Sequence, residues 1–355
     1  MQHISGTGYN VYFNEECYAY LQHLLVAGRY SRIFILSDEN TAANCLPHFL
    51  ANMATEIPIE LLEIEPGEEN KNIQTCIQLW EALTDLGADR KALMINVGGG
   101  VLTDMGGFVS LTFKRGMDFI NVPTTLLAMV DASVGGKTGV DLGVLKNQIG
   151  IISNPIAVLV DTTFLETLPM EQMRSGLAEM LKHGLIADRN YWNEFTSLDS
   201  LTTDDLGVLI HRSVEIKNEV VIQDPNEKGL RKILNFGHTL GHAIESYFLE
   251  SETRQSLLHG EAIAIGMVLE SYISKEMGLL SETEYREIKE VITALYPAVV
   301  FTAEDIEVIT SLLIHDKKNE SGEVKFTLLE KIGNAVINKN VENHLIFKAF
   351  EDYQN

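Results

Sequence analysis

Basic side chains are scarce. Lys and Arg number 27 against 50 Asp and Glu, a formal charge of −23. Such a field repels nucleic-acid backbones and acidic membrane surfaces, which argues against a polymer-binding face but leaves room for a local basic pocket around a small anion. Cysteine is rarer still. Cys17, Cys45 and Cys76 are odd in number, scattered and without CxxC spacing, so they read as buried thiols in a reducing compartment rather than as a disulfide frame. No run approaches about 18 uninterrupted apolar residues, and Met1-Gln2-His3-Ile4-Ser5 has no basic stretch leading into an apolar one. The reading is cytoplasmic, with neither nucleic acid nor membrane as a partner.

What is present is ordinary globular material. Hydrophobic residues make up 45% and charged ones 22% of 355 positions, which excludes disorder, collagen and coiled coil. That length suggests roughly two domains. Short β-rich runs, Arg32–Leu36, Pro58–Ile64, Ala92–Val97, Phe119–Val122 and Ala157–Val160, alternate with helical periodicity such as Asn70–Leu86. This rhythm predicts an α/β domain over residues 1–165 with a parallel, Rossmann-like sheet, whose ligands sit at the carboxyl ends of the strands. From 166 to 355 the pattern turns mainly α-helical, with expected helices Glu171–Ile186, Leu201–Ile222, Leu230–Phe248, Gly260–Met277, Ser281–Leu295 and Ala303–His315, and one alternating stretch, Glu323–Leu329.

Three groups of residues carry chemistry. The first follows the strand Ala92–Val97: Gly98-Gly99-Gly100-Val101 with Asp104 and Gly106-Gly107, glycines that let backbone N–H groups approach a pyrophosphate at a helix N-terminus. Thr103 keeps it from being GxGxxG. Ser37-Asp38-Glu39-Asn40 reads either as a ribose contact or, on residue preference, as a helix N-cap, and Pro66-Gly67-Glu68-Glu69-Asn70-Lys71 as a turn leading into a helix or merely a capped helix start. The second group, Pro123 to Ala128, Asp131 to Gly139 and Lys146-Asn147, offers backbone donors, hydroxyls and a cation to an oxyanion. It is not a Walker A loop, because Asp131 stands where a glycine is required; anion binding by Lys137 and Asn147, with Arg115 as a further cation, is expected instead.

The third group is Glu179 with Lys182, His238 with His242, and His259 beside Gly260-Glu261. Spacings of three and four put each pair on one helix face, and two imidazoles with one carboxylate are a usual catalytic zinc set. HxxxH without the inner Glu is not the metalloprotease motif, and spacing alone leaves open whether His238 or His242 is a ligand. Lys217, Glu227, Arg231 and Asn235 precede the histidines, and Asp316-Lys317-Lys318 follows.

These motifs, in this order and nearly end to end, resemble the 3-dehydroquinate synthase family of sugar phosphate cyclases. PTTLLAMVDASVGGKTGV from Pro123 to Val140 and LNFGHTLGH from Leu234 to His242 are the most specific. The resemblance implies a dehydroquinate synthase-like fold, a homodimer, NAD and one divalent metal, Zn or Co. It puts the metal on Glu179, His238 and His259, with His242 in proton transfer or phosphate contact. NAD contacts then fall on Asp38, Asn40, Glu68, Lys71, Gly99, Gly100, Val101, Asp104, Thr124, Thr125, Lys137, Lys146, Phe164, Thr167 and Leu168. Substrate contacts fall on Asp131, Lys137, Lys146, Asn147, Lys182, Lys217, Glu227, Arg231 and Asn235, with Arg115, from this subunit or from the partner, on the phosphate.

The implied reaction converts 3-deoxy-D-arabino-heptulosonate 7-phosphate to 3-dehydroquinate and phosphate by transient oxidation, elimination, re-reduction and intramolecular aldol closure. Two departures from the family pattern stand out: Gln172 where a carboxylate is common after Leu168-Pro169, and a longer Tyr247–Leu258 segment, read as a loop insertion. The rival readings are a cyclase acting on sedoheptulose 7-phosphate and an iron-type alcohol dehydrogenase, the second disfavoured because a small alcohol needs no phosphate cradle.

Overall fold

A computed structural model describes residues 1–26, 28–143, 145–196, 203–251, 254–313 and 324–355. The chain divides into two compact units, Met1–Pro169 and Met170–Asn355. The expected Asp316-Lys317-Lys318 cluster and His315 lie outside the described residues.

The first unit contains strands β1 (Ile4–Ser5), β2 (Asn10–Phe13), β3 (Ile33–Asp38), β4 (Ile59–Ile64), β5 (Leu93–Gly98), β6 (Asp118–Pro123), β7 (Lys137–Leu142), β8 (Leu145–Ile152) and β9 (Ala157–Val160). Its helices are α1 (Glu15–Val26), α2 (Glu39–Asn44), α3 (Leu46–Asn52), α4 (Ile73–Asp85) and α5 (Gly100–Thr112). Seven strands form one sheet in the order β1-β2-β9-β6-β5-β3-β4, parallel throughout except where β1 meets β2. Central β3 and β5 are almost wholly buried, which is why they read as continuous apolar runs rather than alternating ones. From β3 the chain runs outward to β4, then returns across β3 to β5. The strand order therefore reverses between β3 and β5, and the crevice beyond their carboxyl ends is where α/β sheets bind ligands.

All five expected strands are present, within one or two residues at either end. Two features were not expected. The four-residue β2 pairs with β9 and buries Val11 and Phe13, a strand too short to announce itself. Lys137 and Lys146-Asn147, for which no secondary structure was expected, lie on an antiparallel hairpin, β7 on β8. Its glycines lie where the strands approach closely: a Cβ on Gly139 would meet the Ile149 carbonyl oxygen at 2.5 Å, and one on Gly150 the Thr138 oxygen at 2.2 Å. They permit close pairing instead of a turn.

The second unit contains α6 (Met170–Ala187), α7 (Arg189–Glu194), α8 (Thr203–Gln223), α9 (His238–Glu250), α10 (His259–Glu276), α11 (Glu282–Leu295), α12 (Ala303–Leu312) and α13 (Asn343–Tyr353), with one hairpin, β10 (Phe326–Lys331) on β11 (Asn334–Lys339). The α/β-then-helical class holds. Buried along nearly its whole length, α10 packs against α6, α9, α11 and α13. The helix expected over Leu230–Phe248 is two pieces: a 3₁₀ stretch, Leu230–Asn235, and α9. Phe236 turns extended (φ −59°, ψ 133°) and Gly237 is left-handed at φ 77°, a break that redirects the chain just before His238. Residues 247–250 of the supposed loop insertion belong to α9. The C-terminal α13 went unread, although Ile346 and Phe350 stand four apart and are buried.

Gly106 shows how tightly α5 lies on the sheet, since a Cβ there would stand 2.0 Å from Asn96 Oδ1 on β5. Helix propensity alone favours Gly106→Ala by about 1 kcal/mol. The clash dominates, and chemical denaturation of this variant is expected to show a net loss of about 1–3 kcal/mol.

Candidate active site

In the first unit the expected dinucleotide contacts from Asp38 to Asn40, Gly99 to Asp104 and Thr124-Thr125 lie at or follow the carboxyl ends of β3, β5 and β6, whereas Glu68 and Lys71 follow β4 and Phe164, Thr167 and Leu168 follow β9. Asp38 ends β3, and its Oδ1 accepts from Thr41 N at 2.8 Å while Thr41 Oγ1 accepts from Asp38 N at 2.9 Å. The capping reading of Asp38 is therefore correct, and the cap fixes Asn40 in the first turn of α2. Gly98 ends β5, Gly99 caps α5 without a side chain, and Gly100 and Val101 open the helix. Thr124 N donates to Gly98 O at 3.1 Å, and a Cβ on Gly99 would touch Thr125 Cγ2 at 3.1 Å. Burial pushes the Cys45 thiol up to about 11, with the nearby Thr124 and Thr167 hydroxyls pulling the other way. Phe164 is buried, with its ring edge-on to His48, and Leu168 closes the 3₁₀ turn Thr162–Thr167 that contains it.

A second cluster joins residues expected to serve different ligands. Lys71 is buried, and its Nζ donates to Asp104 Oδ2 and to Asn147 Oδ1, each at 2.7 Å. Burial alone would lower its affinity for the proton, but the Asp104, Glu68 and Asp141 carboxylates raise it well above the ordinary lysine range. Lys146 reaches Glu68 Oε1 at 3.0 Å and Asp141 Oδ2 at 3.4 Å. Asp141 also accepts from Asn147 N at 2.6 Å, which holds Asn147 left-handed at φ 50°, and its own N–H donates to Lys71 O at 2.9 Å. Asp141 thus ties the β7–β8 hairpin to the turn before α4, a role absent from the sequence reading. Lys137 opens β7 and is exposed; Asp131 lies half-buried in a π-helical turn, Ala128–Ala132. Arg115 is not brought to these residues: it is exposed, at φ 68°, beyond the far end of α5 from Gly99.

In the second unit the metal-type residues converge. Glu179 on α6 is wholly buried, one carboxylate oxygen against Lys182 Nζ one turn along the same helix. Its other oxygen, Oε1, has no hydrogen-bond partner among the described residues and lies 3.4 Å from His238 Nε2 and 3.8 Å from His259 Nε2. Burial raises the Glu179 carboxyl, but the Lys182 and His238 charges overcome this and hold it well below the usual carboxylate range.

Both imidazoles are oriented from behind. His238 Nδ1 donates to Phe236 O at 3.0 Å, and His259 Nδ1 donates to Glu245 Oε2 at 3.0 Å, which leaves each Nε2 facing Glu179. Ligand atoms about 2.0–2.1 Å from a tetrahedral ion lie about 3.4 Å apart. An orphaned buried carboxylate oxygen with two imidazole nitrogens near that spacing fits a divalent metal. His242 lies close by, its ring 5.1 Å from His238, and it offers a nitrogen within 4.8 Å of one on His238 and one on His259. Glu245, the carboxylate behind His259, was missed; it stands three residues past His242 and seven past His238, on their face of α9, and that spacing was the available signal.

Lys182 touches Glu179, and elsewhere in the same unit Lys217 and Arg231 are also buried. Asn235 Nδ2 donates to Glu227 Oε1 at 3.0 Å, and Arg231 Nη1 donates to Pro225 O at 2.9 Å. Asp224, also missed, organises this loop by accepting from the N–H groups of Lys228, Gly229 and Arg231. Burial works against its charge, and these donors hold its carboxyl below the ordinary value.

Comparison with known proteins places this arrangement. Family models described as 3-dehydroquinate synthase N-terminal and 3-dehydroquinate synthase C-terminal match residues 61–175 and 176–319. A protein of Parabacteroides distasonis named 3-dehydroquinate synthase is 41% identical over 340 residues, 94% of each chain. Among solved structures, 2-deoxy-scyllo-inosose synthase complexed with carbaglucose-6-phosphate, NAD+ and Co2+ superposes at a TM-score of 0.87 with 25% identity, covering 99% of this chain and 100% of that one. The 2-epi-5-epi-valiolone synthase ValA of Streptomyces hygroscopicus, with NAD+ and Zn2+ bound, gives 0.86 and 27%, covering 100% and 99%.

One consequence concerns protons. Burial disfavours the charged His259 ring, but Glu245 and Glu179 raise it to about 10, so near neutral pH the ring keeps a proton that any ion bound there would displace. Metal affinity is expected to rise about tenfold per pH unit from neutrality and to flatten as pH nears 10. Calorimetry in buffers of different ionisation heat should count about one proton released.

Proposed function

The chain belongs to the 3-dehydroquinate synthase family, and from that premise we propose that it converts 3-deoxy-D-arabino-heptulosonate 7-phosphate to 3-dehydroquinate and phosphate, a lyase step of the shikimate pathway. The observation that carries this reading is the orphaned Glu179 oxygen between two imidazoles, with Lys182 on the other oxygen, in a chain 41% identical to a named 3-dehydroquinate synthase over nearly its full length. NAD is assigned to the residues at the carboxyl ends of β3, β5 and β6, within residues 1–165. A zinc or cobalt ion is assigned to Glu179, His238 and His259, within 166–355. When bound, the dinucleotide accepts and returns a hydride while the metal polarises the oxygen at the carbon being oxidised.

The remaining tasks fall to side chains. Lys71 holds Asp104 and Asn147 in fixed positions, and the hairpin residues Lys137 and Asn147 are offered to the substrate phosphate, with Lys146 a further substrate contact. The buried cations Lys217 and Arg231 answer a substrate carboxylate, and Asn235, held by Glu227, fixes a hydroxyl. His242 moves a proton or contacts the phosphate. These contacts orient the phosphate so that it can itself take the C6 proton, and no separate strong base is required. Arg115, distant from its own subunit's dinucleotide loop, is offered to the partner in a homodimer. Three buried free thiols accord with a cytoplasmic setting, and no described helix is long and apolar enough to cross a membrane.

A cyclase acting on sedoheptulose 7-phosphate is the second reading, kept because the chain is also similar to solved synthases of other names. The carboxylate-type pair Lys217 and Arg231 weighs against it. Purified protein with NAD and Zn²⁺ or Co²⁺ is expected to release phosphate from the heptulosonate phosphate with no net NADH, and Lys182→Ala to lower turnover by about 10²–10³-fold. Turnover of sedoheptulose 7-phosphate in place of that substrate would overturn the assignment.

A further inference from the structure

Glu270 lies in the middle of α10, with no solvent exposure, and no motif in the sequence points to it. Both of its oxygens are used on another helix. Oε2 accepts from Gly237 N at 2.7 Å and Oε1 from Leu240 N at 3.1 Å. These two N–H groups bracket His238 at the start of α9, where backbone donors otherwise lack intrahelical partners. The carboxylate also meets the positive end of the α9 dipole.

The backbone around this contact has little room to move. Gly237 is left-handed at φ 77°. A Cβ on Gly266, one turn before Glu270, would stand 2.0 Å from Gly237 O, and one on Gly241 would stand 3.1 Å from Ala262 O. Gly237 thus sits between the Gly266 backbone on one side and the Glu270 carboxylate on the other. That placement sets the direction of the preceding Phe236 carbonyl, the group that accepts from His238 Nδ1 at 3.0 Å and leaves Nε2 facing Glu179. The same α10 begins with His259, about three turns before Glu270. One helix therefore supplies one imidazole directly and holds the other through its carboxylate.

We propose that Glu270 is a positioning residue of the metal centre, fixing the first turn of α9 so that His238 is presented to the ion before the ion arrives. The proposal rests on the reading of His238 as a metal ligand. An unsatisfied pair of amides would let this turn relax, and a ligand ring that must be reordered on binding lowers affinity; groups that orient ligands typically account for about 10–100-fold in metal affinity.

The test is Co²⁺ binding to the metal-free full chain, followed by chelator competition and by the visible absorption of the bound ion. Glu270→Gln keeps the volume but places a donor against a donor, and Glu270→Asp keeps the charge but withdraws it by one methylene. Both are expected to weaken Co²⁺ by about 10–100-fold and to shift its absorption, with Asp the milder, whereas the core variant Ile292→Val on α11 leaves affinity and spectrum unchanged. Should the Glu270 variants bind Co²⁺ as the native chain does, with the same spectrum, Glu270 is only a structural cap. If the native chain binds no Co²⁺, the metal reading itself fails. The unmutated protein gives a second measurement that does not depend on a variant folding: the Gly237 and Leu240 amides should resist hydrogen exchange in the metal-free state as strongly as in the Co²⁺-loaded one. Exchange typical of a frayed helix end without metal would defeat the proposal.

Discussion

A carboxylate shut off from water must be met by opposite charge, and in the helical unit Glu179 imposes that requirement. A buried ion pair is weak evidence for stability, because desolvation offsets most of the attraction. Its presence in the middle of α6 is better understood through what it organises. Lys182 answers one oxygen, two imidazoles approach the other, and each imidazole is oriented from behind by a carbonyl or a carboxylate. The glycines at 237, 241 and 266 exist where two helices must approach closely enough to bring those rings together.

The α/β unit solves a different problem by similar means. Its cation, Lys71, is the buried group, and the carboxylates Asp104, Glu68 and Asp141 surround it. Because Lys71 also reaches Asn147 and Asp141 also fixes the Asn147 backbone, the hairpin that carries Lys146 and Asn147 is joined to the turn that carries Glu68 and Lys71. Cofactor-type and substrate-type residues are thereby parts of one hydrogen-bonded structure rather than neighbours by chance.

The sequence made the strand–helix rhythm legible because β3, β5, β6 and β9 are apolar runs bounded by turn residues. It did not announce the β7–β8 hairpin, whose Gly139 and Gly150 serve close strand pairing. It merged Leu230–Phe248 into one helix because periodicity continues through Phe236 and Gly237 while the backbone does not. Residue type and spacing marked Glu179, Lys182, His238, His242 and His259 as one metal-type group but left open which histidines are ligands, and the individual cofactor and substrate contacts came only through the family resemblance. What spacing could not supply was the supporting set: Glu245, Asp141, Asp224 and Glu270 are ordinary acidic residues until the fold aims each at a ring nitrogen or a backbone amide. For Glu245 alone did helical spacing offer a cue.

The acidic surplus has a use at the rim of the sheet. A row of unpaired backbone groups along an outer strand invites a second copy to add on and grow a fibre. At one side the sheet ends in β1, only two residues long. The other side ends in the six-residue β4, which exposes Leu61 but sets Glu60 and Glu63 on either side of it. Arg32 occupies Glu60, so Glu63, backed by the chain's net negative field, meets any like strand with repulsion. The shortage of lysine and arginine thus bears on colloidal behaviour: it helps keep an open-edged sheet from becoming a template for its own kind.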